Sequence, residues 1–150
     1  MKTKTILAAA VVVLTVLLLS GCQWLFGERL NDSQRAAAFI ETANEASRNY
    51  DDMQAHFHPT AQSYSSMNTA GFWEESFFAV ADRTFSTRNL QSGGELSEYP
   101  GTSSLSGQVS SGNVTDETIH FGFLPDPERP RNKLIYVIIV EGFDVIRTIH

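Results

Sequence analysis

Four histidines, one cysteine and a serine-rich middle are the side chains from which this sequence could build chemistry. Cys22 is the only thiol, so neither an intrachain disulfide nor a cysteine-rich metal site can form. His56 and His58 stand at i, i+2, a spacing that diverges on a helix and converges only on a strand. A metal site would therefore need His120 and a carboxylate as well, and a surface or helix-capping role is the expectation for both. His150, the last residue printed, is expected to be solvated. No serine sits in the Gly-x-Ser-x-Gly elbow that a nucleophile needs, and Ser103 to Gly107 carries Leu105 instead. Gly93-Gly94 lacks the further glycines and the Lys-Ser or Lys-Thr of a phosphate loop. No enzyme motif emerges, and nothing calls for a cofactor or a metal.

The N-terminal segment carries the clearest instruction. Lys2 and Lys4 precede an uncharged apolar run, Ile6 to Leu19, interrupted only by Thr15. A charged n-region followed by an apolar h-region is the pattern of a secretion signal. At 14 residues the run is shorter than the roughly 20 that a permanent membrane helix needs.

The residues that follow, Leu18-Leu19-Ser20-Gly21-Cys22, resemble the lipobox of bacterial lipoproteins, in which small residues precede an obligatory cysteine. The resemblance implies cleavage before Cys22, thioether diacylation of its thiol and often a third acyl chain on the new amino group. Two or three chains hold a protein on a membrane stably, whereas one does so only marginally. Gln23 stands where an Asp would imply inner-membrane retention, so the resemblance points to the outer membrane, facing the periplasm, in a Gram-negative host. Residues 1–21 are then the signal, 22–32 the lipidated N-terminus and tether, and 33–150 one domain.

Removing Lys2 and Lys4 leaves nine basic side chains against 17 acidic ones, a formal charge of about −8. That is the reverse of the basic surface nucleic-acid binding normally shows, and it disfavours an anionic ligand at long range, though a local Arg could still bind one. Trp24, Leu25 and Phe26 are rings and chains that suit the headgroup region and would reinforce the anchor. The eight residues from Gln23 to Leu30 span roughly 30 Å fully extended, which keeps the domain close to its bilayer.

Asn31-Asp32-Ser33 offers helix N-caps, and Ala36, Ile40, Ala43, Ser47 and Tyr50 recur at helical spacing, predicting a first helix over 33–50. A short second helix runs from Asp51 through Phe57 and must end before Pro59. A third follows Asn68-Thr69 and packs Phe72, Trp73, Phe77 and Phe78. Beyond Ala81 the period shifts toward two. Arg83 to Leu90 reads as a strand, and 91–113 holds seven Ser and five Gly, which suits loops, bulged edge strands or local disorder, with Leu105 to Val109 its best strand. Thr118 to Leu124, Lys133 to Val140 and Phe143 to the end are strands of an antiparallel meander, with a proline-stiffened loop after the first and a tight reversal at Glu141-Gly142.

Three helices before a curved antiparallel sheet resemble the nuclear transport factor 2-like superfamily over 33–150. The echoes are the long first helix, Phe57-His58-Pro59-Thr60-Ala61 at the exit of the second helix, and the final hairpin. The resemblance implies an α+β cone with a pocket between the helices and the concave sheet face. A small lipoprotein of the barrel-assembly machinery has a similar order of elements, but its Gly-x-Pro helix turn is absent. In isomerase-like cone members a general-base Asp lies a few residues past the alanine, whereas Gln62, Ser63, Tyr64, Ser65 and Ser66 follow Ala61 here, so that chemistry does not carry over. Phe72, Trp73, His120 and Tyr136 are the candidate pocket lining. The leading expectation is a non-catalytic lipoprotein that binds a small apolar ligand or an envelope protein. An isomerase or hydratase using Tyr64 with His56 or His120 is the alternative, and so is a structural protein that forms a homodimer through its sheet.

Overall fold

A computed structural model describes residues 29–45, 47–76, 85–111, 117–142 and 146–150. Helix α1 spans Asp32–Ala43 and starts as its caps dictate, the Asn31 side chain accepting from the Gln34 N–H while Gln34 reaches back to the Asn31 N–H. It ends earlier than expected. Asn44 closes it, Arg48 Nε donates to the exposed carbonyl of Ala43 at 2.8 Å, and the Asn49 side chain accepts from Asp51 N to start α2, Tyr50–Gln54. The predicted single helix over 33–50 is thus split by an Asn-rich connection. A 3₁₀ turn over Tyr64–Ser66 leads to α3, Ala70–Ser76.

Five antiparallel strands follow: β1 Phe85–Gly93, β2 Ser103–Ser111, β3 Glu117–Pro125, β4 Lys133–Glu141 and β5 Ile146–Ile149. Their order in the sheet is their order in the chain. The expected cone of helices on a curved sheet is corrected by this architecture. Strand makes up 40% and helix 26% of the described residues, the sheet is open, and the helices are few and short. A five-residue and a seven-residue helix are too small to wall off a closed chamber.

Register sorts the side chains into two faces. Leu105, Phe121, Ile138 and Ile149 face one another across β2 to β5, all at most 1% exposed, and form a row of the core. One residue along, Ser106, His120, Ile139 and Thr148 form the adjacent row on the opposite face. The inner face is covered by Ala36, Phe39 and Ala43 of α1 together with Met53, Phe57 and Trp73. Phe39, Phe57 and Trp73 meet with ring centroids 5.5 to 5.8 Å apart, a three-ring cluster of fully buried aromatics.

β4 reads as a continuous apolar run because both its faces and part of its edge are covered. Val137 meets the loop over 95–102 on the outer face. Beyond the reach of β5, the edge bonds to other segments: His58 N donates to Ile135 O, Ile135 N to His56 O and Lys133 N to Leu30 O. Between Gly122 and Phe123 the register shifts, so Tyr136 is the extra residue of a bulge.

Candidate functional site

The outer face carries a cleft beneath the loop over 95–102. Tyr99 N donates to Leu96 O, Thr102 Oγ1 to Tyr99 O, and Gly101, at φ +84°, turns the chain while its N–H donates to Glu95. Gly122 lets this loop lie flat on the sheet. A Cβ there would stand 2.7 Å from Val137 Cγ1 and 2.9 Å from Leu96 Cδ1. The Tyr99 ring is fixed by edge contacts with Tyr136 at 6.1 Å and His150 at 5.5 Å. Burial, the Glu98 carboxylate and Tyr136 push its phenol up.

Between loop and sheet lies an open space of about 240 Å³ lined by Leu96, Tyr99, His120, Ile139, Ile146 and the carboxylates Glu98 and Glu141, among others. Ile146 at its rim is 68% exposed, the one large hydrophobic so exposed among the described residues. His120 Nδ1 lies 2.7 Å from Ser106 Oγ, and its Nε2 lies 3.7 Å from Glu141 Oε2, too far for a hydrogen bond.

Serine, histidine and glutamate in line invite a nucleophilic reading, and the backbone refuses it. Ser106 lies mid-strand, paired to Gln91 on one side and His120 on the other, with neither a strained elbow nor spare N–H groups to hold an oxyanion. The row fixes the imidazole and leaves Nε2 facing the cleft.

A second cleft, about 440 Å³, opens on the other side beside α1. Arg35, Asn132 and Asp126 in its wall belong to one network of hydrogen bonds. Arg35, 8% exposed, donates through Nε to Lys133 O at 2.6 Å, through Nη2 to Asn132 Oδ1 at 3.3 Å and through Nη1 to His56 Nδ1 at 3.2 Å. A guanidinium only donates, so His56 Nδ1 must hold a lone pair and the ring proton sits on Nε2. That proton is donated to Thr42 Oγ1 at 3.0 Å, and Thr42 donates onward to Ala38 O. Burial first and Arg35 second hold His56 down at about 4, against a small opposing pull from Asp52. Asn132 extends the chain of bonds by accepting from Leu30 N and donating to Asp126, whose carboxyl the Glu128 and Arg129 N–H groups and Asn132 hold below its ordinary range despite burial.

The four candidate lining residues do not share one pocket. Trp73 is fully buried, its Nε1 donating to Met67 O, and Phe72 packs edge-on against it, half-buried. His120 lies in the outer cleft, and Tyr136 supports that cleft from behind through Tyr99. His58 is buried and engaged by Thr60, so His56 and His58 serve separate local networks, and among the described residues no three ligands converge on a metal position. Ser106, Tyr99, Glu141 and Ile146 escaped the sequence reading, as did Arg35. Arg35 had a signal, since it stands four residues before Phe39 and eight before Ala43 on the buried stripe of α1.

Residues 1–21, Cys22 and the tether ring residues lie outside the described residues. Among the described ones, no helix is long and apolar enough to cross a membrane. No protein-family model, no curated protein and no solved structure matches the chain.

Proposed function

We propose that this chain is a lipid-anchored, non-catalytic binding protein of the bacterial envelope, held by Cys22 and recognising a protein partner through the outer-face cleft around His120. The observation that carries the reading is the exposed Ile146 beside that cleft, an apolar anchor next to polar groups with unused bonding capacity. A volume of about 240 Å³ favours a partner's side chain over an enclosed apolar ligand, because small-molecule pockets run to roughly 300–1,000 Å³ and bury most of their guest. Edge strand β1 carries a bulge with Asn89 at φ 55°, which blunts pairing along that edge and weighs against dimerisation through it. The lipobox-like Leu-Leu-Ser-Gly-Cys supports the anchor, and Gln23 supports placement in the outer membrane of a Gram-negative host.

Two measurements test this. Intact mass spectrometry of membrane-extracted protein beside Cys22→Ser is expected to show loss of residues 1–21 and a lipid-sized increment on the wild type alone. An unmodified Cys22 removes the anchor. A photo-crosslinker at position 146 in intact envelopes is expected to give a discrete protein adduct, absent from a crosslinker at Glu74, which is exposed on α3. Equal adducts from both positions would remove the cleft as the recognition site.

A further inference from the structure

Basic side chains are scarce in this acidic chain, and four of them gather where the tether enters the domain. Lys133 N donates to Leu30 O at 3.1 Å and Leu30 N to Asn132 Oδ1 at 3.0 Å, so the incoming chain is pinned beside the start of β4 and the loop before it. Arg29, Arg129 and Arg131 are exposed there and Lys133 is half-buried. None of the four has a side-chain hydrogen bond or ion pair to another described residue. The nearby carboxylates are Asp32, Glu128 and Asp126, the last bonded to Asn132 and the N–H groups of Glu128 and Arg129 and held ionised in part by the Arg129 charge, so the four cations outnumber them by one.

From these placements we infer that this end of the domain is a membrane-facing surface that rests on anionic lipid headgroups. Each exposed Lys or Arg near a negative bilayer adds attraction that fades within a Debye length, about 8 Å at physiological salt, so only cations on the near face count. A tether pinned at Leu30 sets that face toward the lipid. β4 then carries the chain away from the membrane, and its far end, Glu141, lies about 26 Å along the strand from Lys133. The cleft around His120, lined by Ile139, Glu141 and Ile146, is thereby held at the membrane-distal end, open to a partner. The inference rests on the anchored reading for its geometry, and the lipid contact itself needs no acyl chain.

The test uses the chain from residue 22 onward with Cys22→Ser, mixed with vesicles of phosphatidylcholine alone or with added phosphatidylglycerol, and measures sedimented protein. Binding to the anionic vesicles that weakens with salt is expected. Arg129→Gln with Arg131→Gln should weaken it roughly thirtyfold, two surface cations' worth. Arg88→Gln, on β1 and three strands from β4, should leave it unchanged. An unaltered thermal melt of the double variant excludes unfolding as the cause. Equal binding to both vesicle types, or to wild type and double variant, overturns the inference and leaves the apolar tether as the lipid contact. Anionic binding with an unlipidated Cys22 in cells would keep this surface and remove the anchor, and the converse would keep the anchor and remove the surface.

Discussion

His56 and His120 each have a neighbour at both ring nitrogens, yet they answer to different demands. His56 lies between Arg35 at 3.2 Å and Thr42 at 3.0 Å, and both bonds have a forced direction. Adding a proton would set N–H against N–H beside a buried cation. His120 has one short bond, to Ser106 at 2.7 Å, and a carboxylate 3.7 Å from its other nitrogen on a half-exposed side chain. The first ring has no capacity left and fastens α1 to the segment after α2, whose backbone bonds in turn to β4. The second has its Nε2 in an open cleft, with no partner nearer than the Glu141 carboxylate at 3.7 Å among the described residues. Spare bonding capacity therefore separates the two rings more sharply than cleft size, since the larger cleft is the one beside the self-bonded Arg35 network.

Four measurements separate the two histidines. Arg35→Ala strands His56 Nδ1 and the Lys133 carbonyl, leaves Asn132 Oδ1 with Leu30 N alone, and should cost about 3 kcal/mol in denaturant unfolding. Acid titration of stability should show the fastening ring directly. Because His56 is near 4 when folded and about 6.5 when unfolded, the unfolded chain binds the extra proton between those values. Stability from this group is complete above pH 6.5 and is lost as pH falls toward 4, by about 2 kcal/mol after allowing for partial exposure, and His56→Gln should flatten that slope. Gly122→Ala overpacks the loop against Val137 and should cost about 1–2 kcal/mol while displacing Leu96 and the cleft, seen as shifts in the Tyr99 and His120 NMR signals. Ser106→Ala should cost under about 1 kcal/mol, since His120 then turns to water. If Ser106→Ala matched Arg35→Ala, the two histidines would be doing the same job.

Alternation in the sequence exposed most of the sheet, because an apolar side chain every second residue admits few other solutions. Ile119, Phe121 and Phe123 against His120 is the clearest instance, and it also set His120 apart as a site candidate. β2 was harder to see. Its inner face carries only Leu105 and Val109 as large apolar residues, and the serines that resemble a loop line its other positions in a full nine-residue strand. Helix length was misjudged over 33–50 because the apolar stripe runs through Asn44 to Asn49, where local capping overrides periodicity. The cone was an inference from element order, and helices followed by strands satisfy many architectures. Site partners such as Ser106 and Glu141 depend on strand register, which is a property of pairing between segments far apart in sequence.

A sheet whose strand order repeats its chain order has a temporal meaning too. Each hairpin contains only neighbouring sequence, so β1 to β5 can close one after another without waiting for a distant segment, which keeps loop-closure costs low and folding fast for an all-antiparallel sheet. α1 is the exception. It is made before every described strand, yet it lies against β1, β2 and β4, so it cannot finish docking until β4 is made. Until β4 is made, Arg35 lacks the Lys133 carbonyl and α1 lacks the sheet it covers, and the interval before docking is when this chain is most exposed to aggregation.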